Sequence, residues 1–166
     1  MDGSSSAVSK SEQAFAERRV VTVIADRMGQ PHPQGETTGT SQRPAQRLAA
    51  PLLTFDLATE LEQLRGEDTW QREDHNAITL VKEPDFRVVL VAMKMGGRLD
   101  EHHTPGRISI QVISGMLRLH LPDQTVDLPA GQILALDREI KHDVEALDES
   151  SFLLTVAWPE EYSSSL

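Results

Sequence analysis

Histidines in two short segments are the side chains of this sequence best suited to chemistry. His102 and His103 lie between a Gly-Gly pair and an alternating apolar run, and His142 lies further along in a second polar stretch. Imidazole moves protons near neutral pH and binds divalent transition metals. The chain has no cysteine, so thiolate ligands, a cysteine nucleophile and disulfides are excluded. The histidines are therefore the first candidates for a functional site.

Short strands are the elements predicted to position these histidines. From residue 77 to residue 157 the chain consists of short apolar or alternating runs with glycine and proline between them. One run begins at Arg107 and places Ile108 and Ile110 on one face, because successive side chains of a strand alternate. Asp56 is predicted to cap a helix that ends at Gly66, before the first strand. Many short strands after one helix favour an all-β sandwich or barrel.

The spacing of glycines and histidines between residues 96 and 142 resembles the two sequence motifs of the cupins. The first motif matches in spacing from Gly96 through His102 to Gly115, and the second matches from Gly131 to His142. A Pro-Ala-Gly turn and an apolar strand precede His142 at the distance that the family shows. The resemblance implies an all-β fold, the cupin double-stranded β-helix or jelly-roll barrel, with one short N-terminal helix.

Several motif positions hold residue types that metal-bearing cupins do not use. In those cupins, two histidines and a glutamate of the first motif join the histidine of the second around one divalent ion. Here Thr104 stands at the second histidine position and Ile108 at the glutamate position, and neither suits a transition metal. The proline, glycine and asparagine positions of the second motif hold Asp137, Glu139 and Ala146. The resemblance therefore predicts the fold more sharply than the activity.

His103 offers an alternative set of metal ligands. A shift of the loop that follows would bring His102 and His103 together toward His142, and Asp100 or Glu101 could add an oxygen. This three-histidine site predicts a metal-dependent enzyme, an oxygenase or isomerase, holding iron, manganese, nickel or zinc. Adjacent side chains of an extended chain usually diverge, so the other interpretation is that His103 faces solvent and that no metal is assured.

Our leading prediction is a small-molecule site in the mouth of the barrel. A pair of histidines beside an aliphatic wall suits a sugar- or acid-like ligand, with a divalent metal held weakly at most. Metal-free proton transfer stays open, with Asp143 beside His142 or Glu101 beside His102 orienting a ring, but no catalytic residue is identified. The remaining alternative is a dimeric scaffold whose barrel is filled by side chains. The predicted pocket residues are His102, His142, Thr104, Ile108 and Ile110.

Composition divides the chain into four parts. Residues 1–50 are rich in Ser, Gln, Thr, Gly and Pro and are predicted to be disordered or weakly ordered. A short apolar run at residues 19–24 is the exception and favours an edge strand. Residues 51–74 are predicted to form a helical lead-in, residues 75–158 the barrel, and residues 159–166 a polar C-terminal tail.

Charge and hydropathy supply the predictions about partners. The net charge of −10 repels phosphate backbones, so no nucleic acid is expected. The sequence has no apolar run of membrane-spanning length and no secretory signal, which favours a cytoplasmic protein without a membrane partner. The run from Phe86 to Met95 is apolar on both faces and needs two-sided cover, which a homodimer would supply. His75 lies among polar residues and indicates no role.

Overall fold

The structure is a computed structural model that describes residues 49–158. The predictions for the N-terminal extension, including the strand at residues 19–24, and for the C-terminal tail lie outside the described residues. No helix within residues 49–158 is long and apolar enough to cross a membrane.

Short antiparallel strands dominate the described part of the chain, after two short helices. Helix α1 (Leu57–Gly66) begins after Asp56, whose carboxylate accepts hydrogen bonds from the backbone N–H groups of residues 58 and 59. Helix α2 (Asp68–Arg72) follows inside the predicted helical lead-in, although the sequence predicted one helix and not a second. The strands are β1 (His75–Lys82), β2 (Phe86–Met93), β3 (Arg98–His102), β4 (Arg107–Ser114), β5 (Met116–His120), β6 (Thr125–Pro129), β7 (Ile133–Leu136), β8 (His142–Ala146) and β9 (Ser150–Ala157).

The strands form two antiparallel sheets, which confirms the predicted all-β architecture. The first sheet has five strands in the order β1-β2-β9-β4-β7, and the second has four in the order β3-β8-β5-β6. Apart from the pairs β1–β2 and β5–β6, neighbouring strands are not consecutive in the chain, so the chain crosses repeatedly between the sheets. This crossing places β3 beside β8 and brings the two histidine segments of the sequence next to each other.

Aliphatic side chains fill the space between the two sheets. The alternation predicted for β4 holds, because Ile108, Ile110 and Val112 are buried whereas Arg107 and Gln111 are exposed. The second sheet contributes buried leucines from β5 and buried β8 residues. The fully buried side chains of this core include Phe152, Met93, Ile110, Leu117, Leu119, Val91, Val112 and Val144.

The two helices cover the outer face of the first sheet at β1 and β2. Leu61, Leu64 and Trp70 of the helices form one buried cluster with strand residues that include Ile78 and Leu90. The strand Phe86–Met93 is thus covered on one face by the barrel interior and on the other by helices of the same chain. The two-sided apolar pattern of this run is satisfied without a second subunit, which removes the reason for which a homodimer was expected.

Glycines in left-handed backbone conformations end two of the strands. Gly96 (φ 81°) turns the chain from β2 into β3, and Gly115 (φ 77°) separates β4 from β5. A Cβ at Gly115 would lie 2.4 Å from the carbonyl oxygen of Glu149, so this position also lacks space for a side chain. Met95 lies in the turn beyond β2 and is 72% exposed. It is therefore not the core residue that its place in an apolar run suggests.

Candidate functional site

His102 and His142 lie side by side at one end of the barrel, where β3 ends and β8 begins. We call this end the mouth. The Cα atoms of the two histidines are register partners across β3 and β8, although an irregularity in the pairing precedes His102. The ring centroids are 4.3 Å apart and the ring planes are inclined at 57°. His142 is almost completely buried, whereas His102 is half-buried. The two imidazoles therefore form a single group with one solvent-facing side.

The hydrogen bonds of the two rings set their orientation and tautomer. Nδ1 of His102 donates to the backbone carbonyl of Asp100, at 2.7 Å, and Nδ1 of His142 donates to that of Ile140, at 2.9 Å. A carbonyl oxygen only accepts hydrogen bonds, so Nδ1 carries the proton in each ring. In the neutral form of either ring, Nε2 then holds a lone pair. Each histidine thus presents an acceptor, or a ligand atom for a metal, on its second nitrogen.

Burial keeps His142 neutral. Loss of hydration lowers the pKa of His142 below its usual value of 6.5, and the positive charge that His102 can carry lowers this pKa further. The hydrogen bond to the carbonyl of Ile140 and the charge of Asp143 oppose this shift, but less strongly than burial. Near neutral pH the lone pair on Nε2 of His142 is therefore available to accept a hydrogen bond or bind a cation.

The carboxylates proposed to orient these rings have other partners. Asp143 accepts a hydrogen bond of 2.6 Å from Nδ1 of His120 on the outer face of the second sheet. Glu101 lies 3.5 Å from the ammonium group of Lys141. Strand alternation turns each carboxylate away from the histidine that precedes or follows it. The prediction that they orient the rings is therefore wrong, because backbone carbonyls do so.

His103 does not join the pair. Its Nε2 lies 3.5 Å from Oε2 of Glu139, and both side chains are more than half exposed. Among residues 49–158, no three His, Cys, Asp or Glu side chains come together as a metal site. The loop shift required for a three-histidine site has not occurred, because His103 follows the end of β3 on the side away from the barrel.

The other motif positions supply no further donor for a metal. Thr104 is half-buried, and its hydroxyl accepts a hydrogen bond from the N–H of Gly106, at 3.3 Å. Ile108 is 5% exposed and faces inward where a carboxylate ligand would stand. Two imidazoles without a third ligand do not fit the tightly held divalent ion of metal-bearing cupins. The donor set that the structure describes is therefore incomplete for such an ion.

The backbone keeps the shape of the motif where its residue types differ. Glu139, which stands at a glycine position of the second motif, is the single non-glycine residue with positive φ (60°) in the part of the chain that the structure describes. Its N–H donates to the carbonyl of Thr104 at 2.9 Å and ties the loop before His142 to the loop after His102. The two histidine segments are thus held together by backbone contacts.

The predicted aliphatic wall belongs to the first sheet and faces the interior of the barrel. Ile108 pairs in register with Leu136 of β7 and Val156 of β9, so these side chains form one inward-facing layer of the first sheet. Ile110 lies one layer deeper and is 1% exposed, within the packed core. Ile110, one of the predicted pocket residues, is therefore part of the packed core.

Two contributors to the site were missed from the sequence. The carbonyls of Asp100 and Ile140, each two residues before a histidine, fix the rings. β3 was not predicted as a strand, since only Leu99 of its five residues is a buried apolar side chain. In each case the acceptor lies two residues before the histidine. This spacing indicates a fixed ring only when His102 is known to end one strand and His142 to begin another.

Comparison with solved structures identifies this architecture as a cupin-type β-barrel. A cupin superfamily protein from Desulfitobacterium hafniense is 17% identical, with a TM-score of 0.51 over 53% of this chain and 82% of its own. A conserved protein of unknown function from Streptococcus pyogenes is 19% identical, with a TM-score of 0.54 over 72% of this chain and 99% of its own. At these identities the likeness defines the fold, as the motif spacing predicted, and leaves the activity open.

An enzyme also shares the fold. A mutant of salicylate 1,2-dioxygenase from Pseudoaminobacter salicylatoxidans has a TM-score of 0.59 and 15% identity, over 72% of this chain and 40% of its own. No protein-family model matches the sequence, and no curated protein matches it either. Proteins with this barrel thus include an enzyme and a protein of unknown function.

Proposed function

We propose that this protein binds a small sugar- or acid-like molecule in the mouth of the barrel, through Nε2 of His102 and His142. The observation that carries the proposal is the matched arrangement of the two rings. Both donate from Nδ1 to a backbone carbonyl two residues earlier, and their centroids are 4.3 Å apart. Two imidazoles locked in the same tautomer present two fixed acceptors to one ligand.

The chemistry of the pair favours hydroxyl groups near neutral pH. A neutral imidazole accepts a hydrogen bond from a hydroxyl at Nε2, and the lowered pKa of His142 keeps this ring neutral. A carboxylate ligand would instead require protonated rings, which burial opposes at His142. Sugar-like ligands should therefore bind best above the lowered pKa of His142, and acid-like ligands should gain as the pH falls through that pKa.

The aliphatic side chains below the pair would contact the apolar part of a ligand. Ile108, Leu136 and Val156 lie at this level, and the deeper layer at Ile110 is closed. A ligand would thus be held at the mouth, between the histidines and the loop tie from Glu139 to Thr104. The packed interior favours the filled-barrel alternative for the core but does not account for two oriented histidines above it.

The test is binding of neutral monosaccharides and of the corresponding sugar acids, followed by NMR of ¹⁵N-labelled histidines. We expect one class to shift the His102 and His142 signals saturably. His102→Ala and His142→Phe should abolish the response, the second because phenylalanine keeps the ring volume without the nitrogen. His120→Ala is the matched control and should bind like the parent. Unchanged binding in both site variants, or no response to any ligand of either class, would overturn the proposal.

Two further predictions belong with this function. The absence of cysteine from the chain supports a cytoplasmic location, where thiol oxidation offers no stabilisation. A homodimer is also proposed, because β7 is an edge strand of the first sheet and Ile133 on it is 62% exposed, so this edge offers pairing groups and an apolar side chain to a second copy. The three-histidine enzyme is the less favoured alternative, because His103 is paired with Glu139 on the surface.

A further inference from the structure

Another buried histidine with an oriented ring, His75, lies away from the mouth. His75 begins β1 and is 7% exposed, and its Nδ1 is 2.5 Å from Oδ1 of Asp74. Its other nitrogen, Nε2, is buried and has no hydrogen-bond partner among the described residues. A buried polar atom without a partner is rare in folded proteins, because it has lost its hydrogen bond to water. The polar neighbours of His75 in the sequence gave no sign of this burial.

The ring of His75 is held by a fixed carboxylate. Oδ2 of Asp74 accepts a hydrogen bond from the backbone N–H of Arg98, at 3.4 Å. The backbone carbonyl of Asp74 accepts another from the backbone N–H of Lys94, at 2.7 Å. Its hydrogen bond with His75 lowers the pKa of Asp74, so the group is a carboxylate near neutral pH. A carboxylate only accepts, and Nδ1 of His75 therefore carries a proton. In the neutral ring the lone pair is then on Nε2.

The strand register shows which way His75 faces. The residue after it, Asn76, donates to the carbonyl of Leu64 on the helix side of β1, at 2.9 Å. His75 is therefore on the opposite, interior side, where its register partner is the fully buried Met93. The hydrogen bond between Asp74 and Arg98 places the neighbouring His75 near the start of β3, whereas His102 ends that strand. Four residue steps of a strand separate these points by about 13 Å.

We propose that Nε2 of His75 is a second binding point, inside the barrel end remote from the mouth, that accepts a hydrogen bond from one small hydroxyl-bearing molecule. The hydroxyl belongs either to an internal water or to a short alcohol or polyol, since the same lone pair serves both. The fixed Asp74–His75 pair and the interior position of the ring define the site. It is independent of the function proposed for His102 and His142.

NMR of the full chain labelled with ¹⁵N-histidine and ¹³C-methyl methionine tests the proposal. The Met93 methyl group reports on the site, and Met95, which is 72% exposed, is the internal control. We expect Nε2 of His75 to be the unprotonated nitrogen. A bound water should give a cross-peak to the Met93 methyl at the water frequency. A bound alcohol should instead give saturable shifts at His75 and Met93 on titration with methanol or ethylene glycol, which would leave Met95 unchanged.

Matched variants separate the site from a packing role. His75→Phe keeps the ring volume and should remove either signal, whereas His120→Phe should leave it intact. Finding neither the water cross-peak nor a saturable alcohol response in the folded parent would overturn the proposal, as would a protonated Nε2. These readouts involve neither His102 nor His142, so failure here is distinct from failure of sugar or sugar-acid binding at the mouth.

Discussion

Asp143 follows His142 directly in the chain, yet its carboxylate accepts a hydrogen bond from His120, at 2.6 Å, on the neighbouring strand. His120 and Asp143 are register partners across β5 and β8 and lie on the outer face of the second sheet. Alternation along β8 puts His142 on the opposite face, inside the barrel. The mouth therefore contains imidazoles whose orientation depends on the backbone and not on a carboxylate.

Replacing Asp143 should consequently leave ligand binding almost unchanged. Asp143→Asn removes a negative charge that raises the pKa of His142, so that pKa should fall slightly further. Affinity at the mouth should change by less than about twofold, because the side chain faces solvent and such charges contribute little. An NMR titration of His142 in parent and variant, with binding measured in parallel, checks both. A large loss of affinity would show that Asp143 does orient the site.

The free energy of unfolding should depend on the protonation of His142. The folded-state pKa of this ring is lowered from 6.5, so the unfolded state binds the proton more readily. Its contribution is fully present above pH 6.5 and is lost as the pH falls below 6.5 and through the lowered pKa. Urea unfolding at several pH values should show a steeper decline for the parent than for His142→Phe. Equal declines would contradict the prediction, and His120→Phe controls for loss of a surface histidine.

Substitution of Gly115 should be much more harmful than substitution of Gly131. Both have positive φ, 77° and 84°, but a Cβ meets the Glu149 carbonyl at Gly115 and nothing within 4 Å at Gly131. Gly131→Ala should cost about 1–2 kcal/mol for the left-handed backbone alone. Gly115→Ala should add about 1–3 kcal/mol of steric strain. Urea unfolding of the two variants measures the difference, and equal costs would show that the turn before β5 can move.

Restoring the missing ligand types should create a metal site. Thr104→His with Ile108→Glu supplies a third imidazole and an inward carboxylate beside His102 and His142, the set used by metal-bearing cupins. We expect affinity for zinc or nickel, measured by calorimetry, to rise at least about a hundredfold over the parent, since each added ligand strengthens binding. Adding His142→Phe should abolish the gain. No gain from the double substitution would show that these positions do not converge on the histidine pair.

Self-association should depend on the edge of the first sheet. Ile133 is exposed on β7, so Ile133→Glu should raise the dimer dissociation constant at least about tenfold by placing a charge in an apolar contact. Met95→Glu, at another exposed apolar residue, is the control and should not change it. Light scattering across a concentration series gives the result. A parent that stays monomeric at every concentration would contradict the proposed dimer.

Spacing carried the information that made the fold predictable. Alternation located β4, β5 and their buried faces, and the motif spacing predicted that His102 and His142 lie together, as they do across β3 and β8. The spacing stays recognisable after residues are replaced, because the backbone can keep its shape. Glu139, for example, has a left-handed φ at a glycine position of the motif. The motif spacing identified His102 as a site residue even though β3 was not predicted as a strand.

The side-chain partners were not predictable in the same way. Neighbours in sequence suggested Asp143 for His142 and Glu101 for His102, whereas alternation gives those carboxylates to His120 and Lys141. The sequence did not determine which way the side chain of His103 points, because it lies in a loop. In the structure this side chain points toward Glu139 on the surface. The burial of His75 was not predicted, because its register partner Met93 and the turn before β3 that contacts the neighbouring Asp74 are both distant from it in sequence.

The helical cover of the first sheet determines how short a working fragment of this protein can be. A fragment beginning at the first strand would retain the strands and the histidines but would leave the outer faces of Ile78 and Leu90 in water. Such a fragment should aggregate, since a contiguous apolar patch of this kind promotes association. The smallest soluble unit should instead begin before Asp56, so that the capped α1 and Trp70 of α2 are retained.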